Sequence, residues 1–282
     1  MTVLPPGTEE LIARALAEDI GTGDHTTLAT IPQESKGSAR LLVKQPGILA
    51  GVELASSIAQ HFDSRLQIRP YLMDGANVSI GDVAFHLIGP QRSILTVERV
   101  LLNFMQRLSG IATLTRRYVD AVTGTGCTIL DTRKTTPTLR ALEKWAVQLG
   151  GGANHRHGLY DMIMIKDNHH DMLGGIPQAI AAARAYLDRK QLDLKIEVEV
   201  RGLDELELVL RHGGVDRVML DNFTPSVLRK AVELISGRFE TEASGGITLD
   251  TVRSFAETGV DFISVGALTH SAPSLDLSLK AA

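Results

Sequence analysis

Apolar and polar positions alternate in two different ways along this chain, and the change comes near residue 125. Before it the texture is mixed. Residues 8–17 carry Leu11, Ile12, Ala15 and Leu16 at helical spacing and predict a helix. Residues 38–44 and 66–71 predict strands, and the apolar positions of 54–62 predict a core-facing helix. Turns at Asp74-Gly75 and Gly81-Asp82 bracket a further strand pair ending near Ile88. A long helix follows from Ser93 to about Val122, with Leu95, Leu102, Met105, Leu108 and Ala112 broadly along one face and Gly110 as a candidate bend.

After residue 125 the rhythm becomes regular. Short apolar strands at 128–131, 162–166, 195–200, 217–221, 239–243 and 262–266 alternate with helices at 139–149, 176–187, 203–211, 225–235 and 248–258. Thr224-Pro225 is a good helix opening, because proline suits the first helical position. Strict alternation implies a parallel sheet with right-handed crossovers, either doubly wound or closed toward a barrel. Each strand runs into a polar or glycine-rich step: Asp131 to Lys134, Lys166 to Asn168, Glu199, Asp221-Asn222, Ser244 to Gly246, and Val265 to Ala267. A barrel gathers all these ends at one mouth, whereas an open sheet concentrates its chemistry at one switch point, so the pattern favours the barrel.

Composition narrows the class. A net charge of −4 gives no global positive field for nucleic acid, and no apolar run is long enough to span a bilayer. Cys127 is the single cysteine, which excludes an internal disulfide and fits a reducing compartment. With no leader-like segment in the sequence, the expectation is a cytoplasmic protein acting on a small anionic metabolite.

Several groups suit such a ligand. Arg133-Lys134 joins a planar bidentate fork to a mobile charge, flanked by Thr132, Thr135 and Thr136, and suits a carboxylate or phosphate; a solvated pair capping the sheet is the plainer alternative. Asn154-His155-Arg156 follows Gly150-Gly151-Gly152, a backbone able to approach a ligand closely, though a flexible surface turn explains it equally well. Lys166 ends an apolar strand, where burial is costly without an anion. Glu199 and Asp221 end successive strands and suit ribose hydroxyls, hydrated magnesium or a developing cation. Glu197 shares the face of Glu199 but lies deeper, and pairing of both with nearby lysines is the alternative. Ser244-Gly245-Gly246 before a helix, with Val265-Gly266-Ala267 on the next strand, reads as a phosphate cup against the alternative of ordinary tight turns. Arg99 and Arg107 read as a solvated helix face and Cys127 as a small core residue, and no histidine spacing assigns a metal site.

The strings Leu108-Ser-Gly-Ile-Ala-Thr113, Asp131-Thr-Arg-Lys-Thr-Thr-Pro137, Gly150-Gly-Gly-Ala-Asn-His-Arg156, Ile165-Lys-Asp-Asn-His169, Met219-Leu-Asp-Asn222, Ala243-Ser-Gly-Gly246 and Ile263-Ser-Val-Gly-Ala-Leu-Thr-His270 resemble the quinolinate phosphoribosyltransferase family. The likeness covers nearly the whole chain. It implies an N-terminal α/β sandwich over 1–110, joined by 271–282, and an incomplete α/β barrel over 111–270. It also implies transfer of phosphoribosyl from phosphoribosyl pyrophosphate to quinolinate, with release of pyrophosphate and CO2.

The same likeness assigns roles. Arg133, His155 and Arg156, with Thr132 beside them, would hold the two carboxylates of quinolinate, together with Arg99 from a neighbouring subunit of a homodimer or higher oligomer. Lys134 and Lys166 would lie between quinolinate and pyrophosphate. Glu199 and Asp221 would face the ribose and Mg2+. Ser244, Gly245, Gly246, Val265, Gly266, Ala267 and His270 would surround the 5-phosphate. Thr138 stands where the family usually has glycine, His157 where an apolar residue is common, and His212-Gly213-Gly214 is one residue longer than usual. The competing functions are a phosphoribosyltransferase with another acceptor such as nicotinate, a Schiff-base aldolase using Lys134 or Lys166, and a non-catalytic binding protein.

Overall fold

The computed structural model describes residues 4–282. Contacts within the chain define two units. The first holds the chain through Arg116, with α1 (Thr8–Ile20), α2 (His25–Thr30), β1 (Lys36–Val43), β2 (Gly47–Ile48), α3 (Val52–Phe62), β3 (Gln67–Pro70), β4 (Asn77–Val78), β5 (Val83–Pro90) and most of the 31-residue α4 (Gln91–Ala121). The chain returns to this unit at 135–151 and at 268–282. β1 buries Ala39, Leu41 and Val43, the period-two face of a strand with one side on a core. Leu41 lies opposite Phe85 of antiparallel β5 and opposite Leu279 of the chain's last strand, so the C-terminal residues complete this sheet.

α4 buries Val97, Leu101, Met105, Leu108 and Ala112, while Leu95, expected on that face, is exposed. The helix runs through Gly110 without interruption, so the expected bend is replaced by a close crossing: a methyl at Gly110 would overlap the carbonyl of Pro273. Arg107 does not lie on a solvated face. Its Nη2 is 2.9 Å from Oε1 of Glu143, a fully buried carboxylate that also accepts from the Thr136 amide at 3.0 Å and hydroxyl at 2.8 Å. A buried acid needs such partners, and the arginine and the threonine supply them.

The second unit holds 117–134 and 152–267. The elements from residue 128 onward are β6 (Thr128–Leu130), α5 (Arg140–Leu149, in the first unit), β7 (Ile163–Ile165), α6 (Asp167–Leu173), α7 (Ile176–Lys190), β8 (Ile196–Val200), α8 (Leu203–His212), β9 (Arg217–Asp221), α9 (Pro225–Ile235), β10 (Glu240–Ser244), α10 (Val252–Ala256), β11 (Phe262–Ser264), α11 (Ala267–His270) and β12 (Leu277–Ala281). The six strands β6 to β11 are those expected from the pattern. They form a parallel sheet in the order β6-β11-β10-β9-β8-β7, extended past β6 by a single bridge between Leu130 and Ala153. The result is an incomplete α/β barrel.

Its strands alternate in an unusual sense. Ile196, Val198 and Val200 of β8 and Val218 and Leu220 of β9 form one apolar face. The other face is charged: Glu197 pairs in register with Arg217, which pairs with Glu240, while Glu199 pairs with Met219, and Met219 with Glu242. A polar barrel interior is tolerated only if its charges are matched. The deep layer of this interior is matched around Arg217, and the layer above it forms the mouth.

Candidate active site

The mouth lies at the carboxyl ends of the strands, and each strand delivers its polar step there by simple continuation. Asp131, directly after β6, is fully buried and accepts from Asn154 Nδ2 at 2.6 Å and from the His155 amide at 2.9 Å. It therefore clamps the 153–156 segment to the end of β6. Thr132 Oγ1 accepts from the Lys134 amide at 3.0 Å, a local turn that sets the direction of Arg133 and Lys134. Arg156 Nη1 donates to the Met162 carbonyl at 3.1 Å. Burial and the nearby Arg133 both lower the Arg156 pKa from its ordinary value, so two guanidinium groups share one partly buried region. Like charges held together this way form a site for an anion of more than one charge.

Across the sheet, Lys166 directly follows β7, and its Nζ is 2.9 Å from Oε2 of Glu199 on β8. Asp221 ends β9, its Oδ2 accepting from Asn222 at 2.6 Å. Burial, then the charge of Glu199, push the Asp221 carboxyl above its usual range. That surplus of negative charge, only partly offset by Lys166, suits a cation, whether magnesium or a ribose carbon losing its leaving group.

On β10 and β11 the structure corrects the expected phosphate cup in one respect. The helix expected at 248–258 is only the five-residue α10, and it starts well after Gly246. The Ser244-Gly245-Gly246 step is therefore not the opening of that helix. Its backbone turns instead through positive φ at Gly245 (100°) and Gly246 (60°), presenting bare N–H groups as a turn does. A methyl at Gly245 would overlap the Asn222 side chain and lie 2.9 Å from the Asn222 amide nitrogen, so only glycine fits between the ends of β9 and β10. Val265, on the neighbouring strand's extension, donates its amide to Leu130 O at 2.9 Å and holds the Gly266-Ala267 step beside β6. Arg99, exposed on α4, and His270, at the end of α11 with Nδ1 2.6 Å from Ser271 Oγ, belong to the first unit.

The His155 ring departs from expectation. It is 6% exposed and meets the charged face of the barrel strands. Its Nε2 lies 2.9 Å from Glu197 Oε2 and 3.3 Å from Glu242 Oε2, and its Nδ1 accepts from the Arg156 amide at 2.7 Å. Arg217 donates to Glu242 at 3.1 Å and to Glu240 at 3.0 Å, and stacks 4.0 Å over the Phe262 ring. Residue-by-residue reading set Glu197 aside in favour of Glu199 and missed Glu242 and Arg217. The available signal was the Glu-x-Glu spacing of Glu197-Val198-Glu199 and Glu240-Thr241-Glu242, which puts each pair on one strand face.

This cluster retains a proton. Burial pushes the Glu197 carboxyl up to about 7, with the charge of Glu242 adding to the shift. Burial lowers the His155 pKa, but hydrogen bonds to Glu197 and Glu242 outweigh it and raise the ring to about 9. The two titrate as one pair, and the Arg156 amide's hold on Nδ1 favours keeping the extra proton on Glu197. The folded chain thus binds more protons than the unfolded chain between about pH 5 and 9, so this cluster's contribution to stability falls as pH rises through that window. Thermal unfolding across pH should show the Tm of Glu197→Gln declining less steeply than that of the native chain; parallel curves would refute the assignment.

Thr138 adopts φ 68°, a left-handed conformation that a β-branched residue reaches only under strain. This is the physical reason glycine is expected there. Thr138→Gly should stabilise the fold by about 0.5–1 kcal/mol, the relieved strain exceeding the entropy cost of glycine. A lower Tm would show that the threonine side chain contributes more than its backbone costs. His157 is exposed, its amide held by Asp161 at 2.7 Å, so the substitution noted there faces solvent.

An incomplete barrel whose mouth joins paired guanidinium groups, a lysine–carboxylate pair and glycine turns defines an enzyme for small polyanions. The chain matches the quinolinate phosphoribosyltransferase N-terminal domain over residues 24–109 and the C-terminal domain over 111–280. It is 48% identical to the chloroplastic nicotinate-nucleotide pyrophosphorylase [carboxylating] of Arabidopsis thaliana over 99% of this chain and 86% of that one. It is 43% identical to the probable nicotinate-nucleotide pyrophosphorylase [carboxylating] of Bacillus subtilis (strain 168), over 96% and 92%. The crystal structure of NadC from Streptococcus pyogenes superposes with a TM-score of 0.94 at 40% identity, over the full length of both chains. The chain belongs to the quinolinate phosphoribosyltransferase family.

Proposed function

We propose that this chain joins quinolinate to phosphoribosyl pyrophosphate, releasing pyrophosphate and CO2 to give nicotinate mononucleotide in de novo NAD biosynthesis. The match to both domains of the family carries the reading, and Arg133 and Arg156, the first of which adds to burial in lowering the pKa of the second, suit a dianion. They hold the two acceptor carboxylates and orient the ring nitrogen. Backbone amides of the Ser244–Gly246 step, with Ala267 on the neighbouring strand's extension, bind the 5-phosphate. Lys134 and Lys166 face the leaving pyrophosphate.

As the bond to pyrophosphate lengthens, positive charge grows on the anomeric carbon, and Glu199 and Asp221 stabilise it. Fixing both reactants in line supplies much of the acceleration. Loss of the 2-carboxylate as CO2 then follows without a side-chain nucleophile, because the quaternised ring nitrogen stabilises the carbanion until that carbon takes up a proton from water. Mg2+ entering with phosphoribosyl pyrophosphate would neutralise pyrophosphate charge, and the electronegative pair Glu199 and Asp221 would hold it. Further parts of the proposal are a homodimer, in which Arg99 of one subunit serves the site of the other, and a cytoplasmic setting. No helix among the described residues is long and apolar enough to cross a membrane.

The test is direct. Purified protein is mixed with Mg2+, phosphoribosyl pyrophosphate and quinolinate, with nicotinate in a parallel tube, and nicotinate mononucleotide and CO2 are quantified. Product from quinolinate alone is expected. Product only from nicotinate would keep the phosphoribosyl chemistry and overturn the acceptor, and silence in both tubes with folded protein would overturn the enzyme.

A further inference from the structure

The barrel interior beneath the mouth holds a set of charges that the reaction does not use. His155, Glu197 and Glu242 are 6%, 0% and 0% exposed, and their nitrogen and oxygen atoms lie within 4.8 Å of one another. Three such ligands have the composition of a cation site. Arg217, 3.1 Å from Glu242 and in register with Glu197, already supplies positive charge there, so a metal is not needed to balance the acids.

What the cluster does have is a connection upward. From below, Lys195 binds Glu240 at 3.0 Å, Glu240 binds Arg217, and Arg217 binds Glu242. Glu242 and Glu197, on two different strands, meet the same ring nitrogen of His155. The opposite ring nitrogen accepts the backbone N–H of Arg156. One polar thread therefore runs from the strands β8, β9 and β10 through the imidazole to the main chain of the residue that carries the acceptor-binding guanidinium. Asp131 holds the same segment from the β6 side, through the His155 amide and the Asn154 side chain. The 153–156 segment has no strand or helix of its own beyond the single bridge at Ala153, so these side-chain bonds fix the direction in which Arg156 leaves it. A guanidinium recognises a carboxylate bidentately only in a narrow range of orientations, and that makes the thread consequential.

We propose that His155 is a positioning residue, not a contact to substrate: it transmits the fixed geometry of Glu197 and Glu242 to Arg156 and so sets the affinity for the acceptor dicarboxylate. The inference rests on the reading of Arg156 as an acceptor-binding residue. It explains why a histidine beside a ligand-binding arginine is sealed inside the barrel, and why two carboxylates, each with an Oε1 that meets no donor among the described residues, are retained in a core.

The test is a double-mutant cycle between Glu197, which touches no ligand, and Arg156. Glu197→Ala should raise the KM for quinolinate about tenfold or more, while kcat and the KM for phosphoribosyl pyrophosphate stay within about threefold. In an Arg156→Ala background the same substitution should add less than about threefold, because its effect passes through Arg156. Glu197→Gln, which keeps an acceptor oxygen for Nε2, should restore the quinolinate KM. Should Glu197→Ala fail to fold, His155→Asn replaces it; its Oδ1 still accepts the Arg156 amide, but the side chain is too short to reach the carboxylates, and the quinolinate KM should again rise. Fully multiplicative effects in the cycle would overturn the proposal, as would equal changes in both KM values or a lowered Tm with no change in KM. If Arg156→Ala itself leaves the quinolinate KM unchanged, the acceptor-binding role of Arg156 falls instead, and the proposal with it.

Discussion

Lys166→Ala is expected to lower kcat by about a hundredfold or more and to change stability by no more than about 1 kcal/mol. The two halves of this expectation come from the same ion pair. Lys166 Nζ is 2.9 Å from Glu199, but the lysine side chain is 46% exposed, and solvent-screened pairs of that kind contribute little to folding. Its value lies in the charge pattern of the mouth. Lys166 is the cation that offsets Glu199 beside Asp221, whose carboxyl is already pushed up by burial and by Glu199. Without it, a pyrophosphate leaving group would meet two carboxylates with one balancing charge fewer. Lys134→Ala should behave alike, since Lys134 is exposed and its amide, not its side chain, makes the turn with Thr132. Steady-state kinetics and thermal unfolding of each variant decide the matter. Near-native kcat in both variants would remove the lysines from the leaving-group role, and a large Tm loss with a matching loss of folded protein would make any activity loss uninformative about chemistry.

The parts of this site legible in the sequence are those where local order and tertiary order coincide. Asp131, Lys166, Asp221 and Ser244-Gly245-Gly246 are where apolar runs end, and in a parallel barrel the end of every such run is at the mouth. The illegible parts depend on neighbours distant in sequence. His155 stands between a glycine run and an arginine and reads as part of the mouth; its contacts with β8 and β10 are invisible to that local pattern. Arg107 sits among helix positions that look solvated, yet it meets Glu143, 36 residues later, because helix Arg140–Leu149 returns to the first unit. Gly110 looks like a bend because glycine often is one, and the crossing chain at Pro273 is invisible to local pattern. The short α6 follows Lys166 with no apolar period of its own, and its capping by the His169 ring at 2.9 Å from the Lys166 amide is again a side-chain detail.

Mixing Arg99→Ala protein with Arg133→Ala protein is expected to restore activity that neither has alone. Arg99 is exposed on α4 in the first unit, and Arg133 follows β6 in the second. If each site of a homodimer takes Arg133 from one subunit and Arg99 from the other, both single variants lack one carboxylate-binding arginine at every site. Each should then lose about 2–4 kcal/mol of transition-state stabilisation, or roughly thirty- to a thousandfold in kcat/KM. A hybrid dimer distributes the defects unequally: one site carries both substitutions and the other carries neither. Random exchange makes about half of the dimers hybrids, so about a quarter of all sites become intact, and activity should approach about a quarter of the native value. That recovery exceeds anything the parents can sum to. Subunit exchange is verified separately with tagged chains. Exchange without recovery would mean that Arg99 serves the barrel of its own chain or none, whereas recovery near a quarter would fix both the shared site and the dimer as its minimal active unit.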